Sequence, residues 1–205
     1  MTRLHRFTVI VLAGLFLISS LTADADDASK RKEKAQSHLI EARRLAADYR
    51  MDKAADKARE ALKDNPSLAE AHVYLGLDHL RANDLNGAQA EFGQAIELDA
   101  YQASAHCGLG YVLYQREQLE DATDHWMLSI RLDPSLPQGL AGVALSQFKH
   151  GQEEDAVRTY RKVLMYDRRF ADSKFLESDR GPKWSGQLLQ DFIVLLAKVP
   201  KAGYP

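Results

Sequence analysis

One histidine and the only cysteine of the chain are neighbours, His106 and Cys107. A histidine that accepts a proton from a thiol produces the thiolate nucleophile of cysteine enzymes, and both residue types bind zinc. Catalysis requires the two side chains within hydrogen-bond reach, whereas consecutive residues on a helix point about 100° apart. The sequence also lacks the patterns HExxH, GxSxG, GxxxxGKS/T and GxGxxG. We therefore expect no catalytic residue and no enzymatic activity.

The composition indicates a folded protein with a packed core. The chain has 205 residues, of which 45% are hydrophobic and 27% charged, and its formal net charge is −2. Phosphate backbones are bound by clustered Lys and Arg side chains, which this balance does not favour. We expect neither a nucleic-acid partner nor a small-molecule substrate.

The N-terminal residues predict export. Basic residues precede an apolar run from Phe7 to Leu21, which is shorter than the roughly 20 residues of a membrane-spanning helix. Together with Ala23-Asp24-Ala25, this pattern predicts a signal peptide over 1–25, followed by a charged lead over 26–34. A single cysteine forms no internal disulfide, which favours the bacterial periplasm, or secretion. The alternative is an uncleaved membrane anchor, the one case in which we expect membrane contact.

A repeat of 34 residues organises the chain. Residues 69–102 align with 103–136 through a shared Ala-x-x-His-x-x-Leu-Gly string, and the same offset extends the pattern to 35–68 and 137–170. The eighth and twentieth positions are always small: Ala42, Gly76, Gly110, Ala144 and Ala54, Ala88, Ala122, Ala156. Small residues let two helices approach closely. Each unit therefore reads as two amphipathic helices that must stack on their neighbours to bury their apolar faces.

These motifs resemble the tetratricopeptide repeat (TPR) family. Leu75-Gly76 with Ala88-x3-Phe92, and Leu109-Gly110 with Ala122-x3-Trp126, fit the family pattern in units two and three. Units one and four depart from it, as end units commonly do. The resemblance implies an all-α fold, a right-handed superhelical solenoid of helix-turn-helix repeats. The remaining segment, 171–205, predicts a capping helix at about 185–198, with a dimer or membrane-surface contact as the alternative.

The same repeat position holds His38, His72 and His106 in successive units. Adjacent helix axes lie about 8–10 Å apart, whereas zinc ligands gather within about 2.3 Å of one metal ion. The three rings are thus expected to be strung along the solenoid and to pack between helices. We expect no metal site and no cofactor.

The resemblance also implies a concave groove that binds a partner protein or peptide segment. The expected groove residues are Val73, Leu77, Leu80, Arg81, Cys107, Tyr111, Tyr114, Leu145, Phe148 and Lys149. Their apolar and aromatic character favours a hydrophobic peptide or helix as ligand. Two alternatives stay open for the groove, because the C-terminal helix or long side chains could fill it. For the whole protein, the alternative is a structural envelope component that self-associates through its C-terminal apolar helix.

Overall fold

The computed structural model describes residues 3–178, 184 and 186–199, with side chains described from residue 25 onward. It confirms the all-α fold, and these ranges contain no β-strand. The helices are α1 (Arg3–Ala47), α2 (Met51–Asp64), α3 (Ala69–Arg81), α4 (Leu85–Leu98), α5 (Ala103–Gln115), α6 (Leu119–Leu132), α7 (Pro137–Lys149), α8 (Glu153–Tyr166), a 3-10 helix (Arg168–Ala171), α9 (Ser173–Glu177) and α10 (Gly186–Lys198).

The eight helices α1 to α8 form four helix-turn-helix pairs that stack into a solenoid. Each odd-numbered helix of these pairs packs most extensively on the helix that follows it, and α5 also contacts both α3 and α7. These three helices begin at Ala69, Ala103 and Pro137, 34 residues apart. The 34-residue period of the sequence is therefore also the period of the helices.

Small residues sit where two helices of one unit meet. The Phe92 ring lies against Gly76, where an added Cβ would be 2.6 Å from Cε1 of that ring. Trp126 covers Gly110 in the same way, at 2.5 Å from its Nε1. Real Cβ contacts do not approach this closely, so the aromatic ring of each second helix requires the missing side chain on the first.

The turn inside each unit uses one residue in the left-handed region. Tyr49, Asn83, Glu117 and Gly151 occupy equivalent repeat positions, with φ between 55° and 75°. Glycine and asparagine adopt this conformation readily, whereas tyrosine and glutamate do so at a cost. The turn is therefore fixed by the packing of the helix pairs and not by local residue preference alone.

The C-terminal helix α10 packs back onto α5, α7 and α8. One face of α10 is buried: Leu188, Leu189, Phe192 and Leu195. Trp184 precedes it and stacks on Phe192, with ring centroids 3.9 Å apart and planes at 10°. The helix thus closes one side of the solenoid.

The predicted signal peptide, and the alternative of a retained anchor, concern side chains outside the described part of the chain. Within the described part of the chain, no helix is long and apolar enough to cross a membrane.

Candidate functional site

The predicted groove residues divide into two sets along the inner face of the solenoid. Leu77, Leu80, Arg81, Cys107 and Tyr111 line one cavity of about 330 Å³. The cavity walls also include residues from the first turn, the start of α7 and the C-terminal segment: Ala46, Ala47, Tyr49, Met51, Tyr74, Ser104, Gly108, Leu136, Pro137, Gln138, Arg169 and Trp184. We call this cavity the open pocket. Its volume falls in the range of sites that enclose a compact ligand or a few side chains.

Val73 does not line the open pocket. Its side chain is only 2% exposed and packs in an interior cluster with Ala88 and Phe92. Position five of a unit therefore points into the helix-helix interface here, whereas the equivalent Cys107 reaches the pocket wall.

Tyr49 closes one side of the open pocket. Its hydroxyl donates a hydrogen bond to Asp167 Oδ2 at 3.0 Å, across a sequence separation of 118 residues. The Arg169 guanidinium carbon lies 4.6 Å from the centre of the Tyr49 ring, and Phe175 meets that ring edge-on at 5.1 Å. Burial, reinforced by the Asp167 carboxylate, raises the pKa of Tyr49, so its hydroxyl stays protonated and able to donate. These four residues form what we call the clasp, which joins unit one to the end of unit four and to Phe175 beyond it.

Only part of the Tyr111 ring forms a wall of the open pocket. The side chain is 3% exposed, and its hydroxyl donates to the backbone carbonyl of Gln138 at 2.7 Å. The ring meets Trp126 edge-on at 5.2 Å and Trp184 at 5.6 Å. Tyr111 is thus part of the core that shapes the pocket, and part of its ring lines the pocket wall.

The second set of predicted groove residues is covered by α10. Tyr114 donates a hydrogen bond to Asp191, whose other carboxylate oxygen accepts from Lys149 at 3.1 Å and from Gln187 at 3.0 Å. Leu145 is fully buried and Phe148 packs against the same apolar cluster as Leu188. Tyr114, Leu145, Phe148 and Lys149 therefore bind the chain's own C-terminal helix. This is the arrangement that the sequence left open as an alternative.

The hydrogen bonds around Asp191 keep its carboxylate charged. Burial disfavours ionisation, but the bonds from Tyr114, Lys149 and Gln187 outweigh burial and hold the pKa of Asp191 below its ordinary value. Burial likewise raises the pKa of Tyr114, with Asp191 adding to the effect. In this network the Tyr114 hydroxyl is the neutral donor, the Asp191 carboxylate is the anion and the Lys149 ammonium group is the cation.

His106 and Cys107 do not act as a pair. Burial raises the pKa of Cys107 to about 12, so the thiol is protonated at neutral pH and is a poor nucleophile. The His106 ring faces the other way, with Nδ1 3.0 Å from Nδ1 of His125 and Nε2 3.2 Å from the carbonyl oxygen of Ala100. Among the described residues, no three side chains of His, Cys, Asp or Glu gather as a metal site.

Sequence reasoning missed Tyr49, Trp184 and His125. No local signal marks Tyr49 or Trp184, because their contacts depend on how far the solenoid curves. The alignment of units could have revealed His125, since position 4 faces position 23 in both unit two and unit three. In unit two these positions hold His72 and Glu91, whose Nδ1 and Oε2 atoms are 2.7 Å apart.

The fold defines a class, the helix-turn-helix repeat solenoids. No protein-family model matches the chain. It is 30% identical over 107 residues, 51% of its length, to the heat shock protein STI1 of Saccharomyces cerevisiae. It is 35% identical over 85 residues, 41% of its length, to the tetratricopeptide repeat-containing protein trd-1 of Caenorhabditis elegans. The aligned segments span only 18% and 10% of those relatives' own lengths.

A solved structure of Pseudomonas aeruginosa pilF shares the fold. The TM-score is 0.55 at 18% identity, and the match covers 85% of this chain and 80% of that one. With its 34-residue units, the chain is similar to tetratricopeptide repeat proteins.

Proposed function

We propose that this protein is a non-catalytic interaction module that captures an apolar segment of a partner protein in the open pocket. The observation that carries the proposal is the cavity itself, which is walled by Leu77, Leu80 and Met51 and bounded by the clasp and by Trp184. Apolar cavities with a few polar groups at the edge are preferred binding sites in proteins. Here Ser104 and Gln138 supply those polar groups.

The size of the pocket limits the segment to a short one. In units three and four, α10 covers Tyr114, Leu145 and Phe148. The clasp bridges unit one and Asp167 across the groove. A partner therefore inserts one or two large apolar side chains, either from an extended peptide or from one turn of a helix.

The alternative function, self-association through the C-terminal helix, has less support. Leu188, Leu189, Phe192 and Leu195 are buried inside the chain. Only Ile193 and Val194 of the apolar arc are substantially exposed, at 37% and 47%. The mass of the protein in solution separates the two functions, since a monomer contradicts self-association.

The place of action that we propose is the bacterial periplasm or the extracellular side of the envelope. This proposal rests on the N-terminal sequence, in which the apolar run precedes Ala23-Asp24-Ala25. Mass spectrometry of protein purified from the native cells tests it. A mature N-terminus near Asp26 supports export with cleavage, whereas an intact N-terminus contradicts cleavage.

Affinity capture from envelope extract tests the binding proposal. The bait proteins are the parent, Leu77→Glu, which puts a charge on the pocket wall, and Met165→Glu, which changes a side chain that is 72% exposed outside the pocket. We expect a partner that is retained by the parent and by Met165→Glu and lost by Leu77→Glu, with circular dichroism verifying all three folds. Equal retention by all three baits would show that the partner binds elsewhere.

A further inference from the structure

A further apolar cavity lies where unit three meets unit four, and it shares no lining residue with the open pocket. Its volume is about 450 Å³, and its walls come from α6, α7, α8 and the turn between the two units: Ile130, Pro134, Leu140, Lys162, Met165 and Tyr166. We call it the outer hollow. Met165 and Tyr166 are 72% and 56% exposed, so the rest of the described chain leaves these large apolar side chains uncovered. Apolar surface of this kind, with a charged group at its edge, is typical of interaction sites.

The outer hollow contains a backbone acceptor that lacks its usual donor. In unit three, Nε2 of His106 lies 3.2 Å from the carbonyl oxygen of Ala100, and unit two has the same contact between equivalent residues. Unit four has Leu140 at the histidine position, and a leucine side chain has no hydrogen to donate. No described residue donates a hydrogen bond to the equivalent carbonyl oxygen, that of Pro134. A donor on a ring that enters the hollow would find this oxygen available.

The outer hollow also carries an unpaired positive charge. Lys162 lines it and is exposed, and its ammonium group forms no ion pair with a carboxylate of the described residues. The carboxylate next to the hollow in sequence, Asp133, instead accepts hydrogen bonds from the backbone N–H and the hydroxyl of Ser135 at 2.9 and 2.6 Å. The complementary ligand is therefore an aromatic side chain that has an N–H or O–H donor and a carboxylate beside it.

The chain presents such a group on its own surface. Tyr101, in the turn between units two and three, is 78% exposed, and units one and three have Ser67 and Ser135 at its repeat position. Its backbone N–H donates to Oδ1 of Asp99 at 3.0 Å, which holds a carboxylate beside the ring. Tyr101 does not line the outer hollow of its own chain.

We propose that two copies of this chain associate by inserting Tyr101 of each copy into the outer hollow of the other. The ring packs on the apolar walls, its hydroxyl donates to the carbonyl oxygen of Pro134, and Asp99 faces Lys162. Tyr101 follows α4 and Pro134 follows α6, so ring and hollow lie one unit apart on the edge formed by the turns between units. A two-fold axis that sets two such edges side by side makes both insertions at once.

The expected dimer is weak. Contacts of one ring and one ion pair, made twice, give a small interface, and interfaces below about 1,200 Å² are typical of transient association. The protein is therefore monomeric at the low-micromolar concentrations of folding measurements and dimeric near millimolar concentration. This association is independent of the open pocket, which stays available to a partner segment.

Sedimentation equilibrium over that concentration range tests the proposal, with the protein in the form that its cells produce. Tyr101→Ala should weaken the dimer at least about tenfold, because the two-fold axis removes the ring twice. Tyr101→Phe keeps the ring and loses the donor, so its effect should be smaller. Lys162→Glu should also weaken the dimer, since it places a negative charge opposite Asp99. Ile40→Ala is the matched control, because Ile40 is 57% exposed on α1, and it should leave association unchanged.

Photo-cross-linking tests the geometry of the contact. A chain with Tyr101→p-benzoylphenylalanine is mixed with chains labelled with heavy nitrogen, so that mass spectrometry separates links between copies from links within one copy. We expect links between copies at Met165, which lines the outer hollow.

Three results would overturn the proposal, provided that circular dichroism shows equal helix content in all variants. One is a parent that stays monomeric up to near-millimolar concentration. Another is a dimer of equal affinity in Tyr101→Ala, which would move the contact to another exposed apolar face, such as Ile193 and Val194 of α10. The third is a set of links between copies that lies entirely outside the outer hollow.

Discussion

Tyr114 on α5 donates a hydrogen bond to Asp191 on α10, across a sequence separation of 77 residues. The two side chains are at the centre of the contact between the solenoid and its C-terminal helix, because Lys149 binds the same carboxylate from α7. This polar contact lies beside the apolar one made by Leu188 and Phe192. Together they fix which part of the inner surface is free for a partner.

Removing the Tyr114 hydroxyl should weaken that contact. Tyr114→Phe leaves the Asp191 carboxylate with two donors in place of three, and bonds to charged groups contribute about 1.5–3 kcal/mol each. We expect the free energy of unfolding in urea to fall by this amount. Tyr101→Phe is the matched control, because Tyr101 is 78% exposed and its change should stay within about 0.5 kcal/mol. Equal effects of the two substitutions would contradict the role of the bond.

Acid should weaken the same contact. The pKa of Asp191 is lower in the folded protein than in the unfolded chain, where it is about 3.9. The charged carboxylate therefore stabilises the fold fully above about pH 3.9. This contribution is lost as the pH falls toward the pKa of the folded state. The difference in stability between the parent and Asp191→Asn is therefore expected to be largest at neutral pH. Urea midpoints measured from pH 7 to pH 3 should converge, and a constant difference would speak against the network.

Replacing glycine by alanine should have opposite effects on the free energy of unfolding at two positions. Gly110→Ala forces a methyl group against Trp126 and is expected to cost about 1–3 kcal/mol of unfolding free energy. Gly93 has no neighbouring atom within 4 Å of an added Cβ, so Gly93→Ala should stabilise α4 by about 0.5–1 kcal/mol. Thermal unfolding of both variants measures the two changes in stability. A stable Gly110→Ala protein would show that Trp126 can move aside.

Cys107 should resist alkylation in the native protein. It is 4% exposed and burial raises its pKa to about 12, so very little thiolate is present at pH 8. We expect iodoacetamide to label the unfolded chain quickly and the folded chain slowly, as read by mass spectrometry. Rapid labelling of the folded chain would mean that the open pocket exposes the thiol, and it would reopen the case for a reactive cysteine.

The repeat pattern predicts most of the fold, whereas the site depends on contacts that no local pattern encodes. Gly110 and Trp126 identify the helix pair of unit three because their packing recurs every 34 residues. The clasp between Tyr49 and Asp167 joins residues that are 118 positions apart in the sequence. The apolar arc of α10 predicted burial, but the partner of that face could be known only from the three-dimensional structure.

Helix α10 occupies one part of the inner surface and leaves the open pocket as the proposed binding site. Amide hydrogen exchange of the full chain, followed by mass spectrometry, tests it most directly. With α10 docked, its amides should exchange as slowly as those of α7 and α8, and Leu195→Glu should accelerate exchange in α10 while leaving α3 and α4 protected. Complete exchange of α10 in the parent within the first seconds would mean that α10 is not docked and that the groove is open along its whole length.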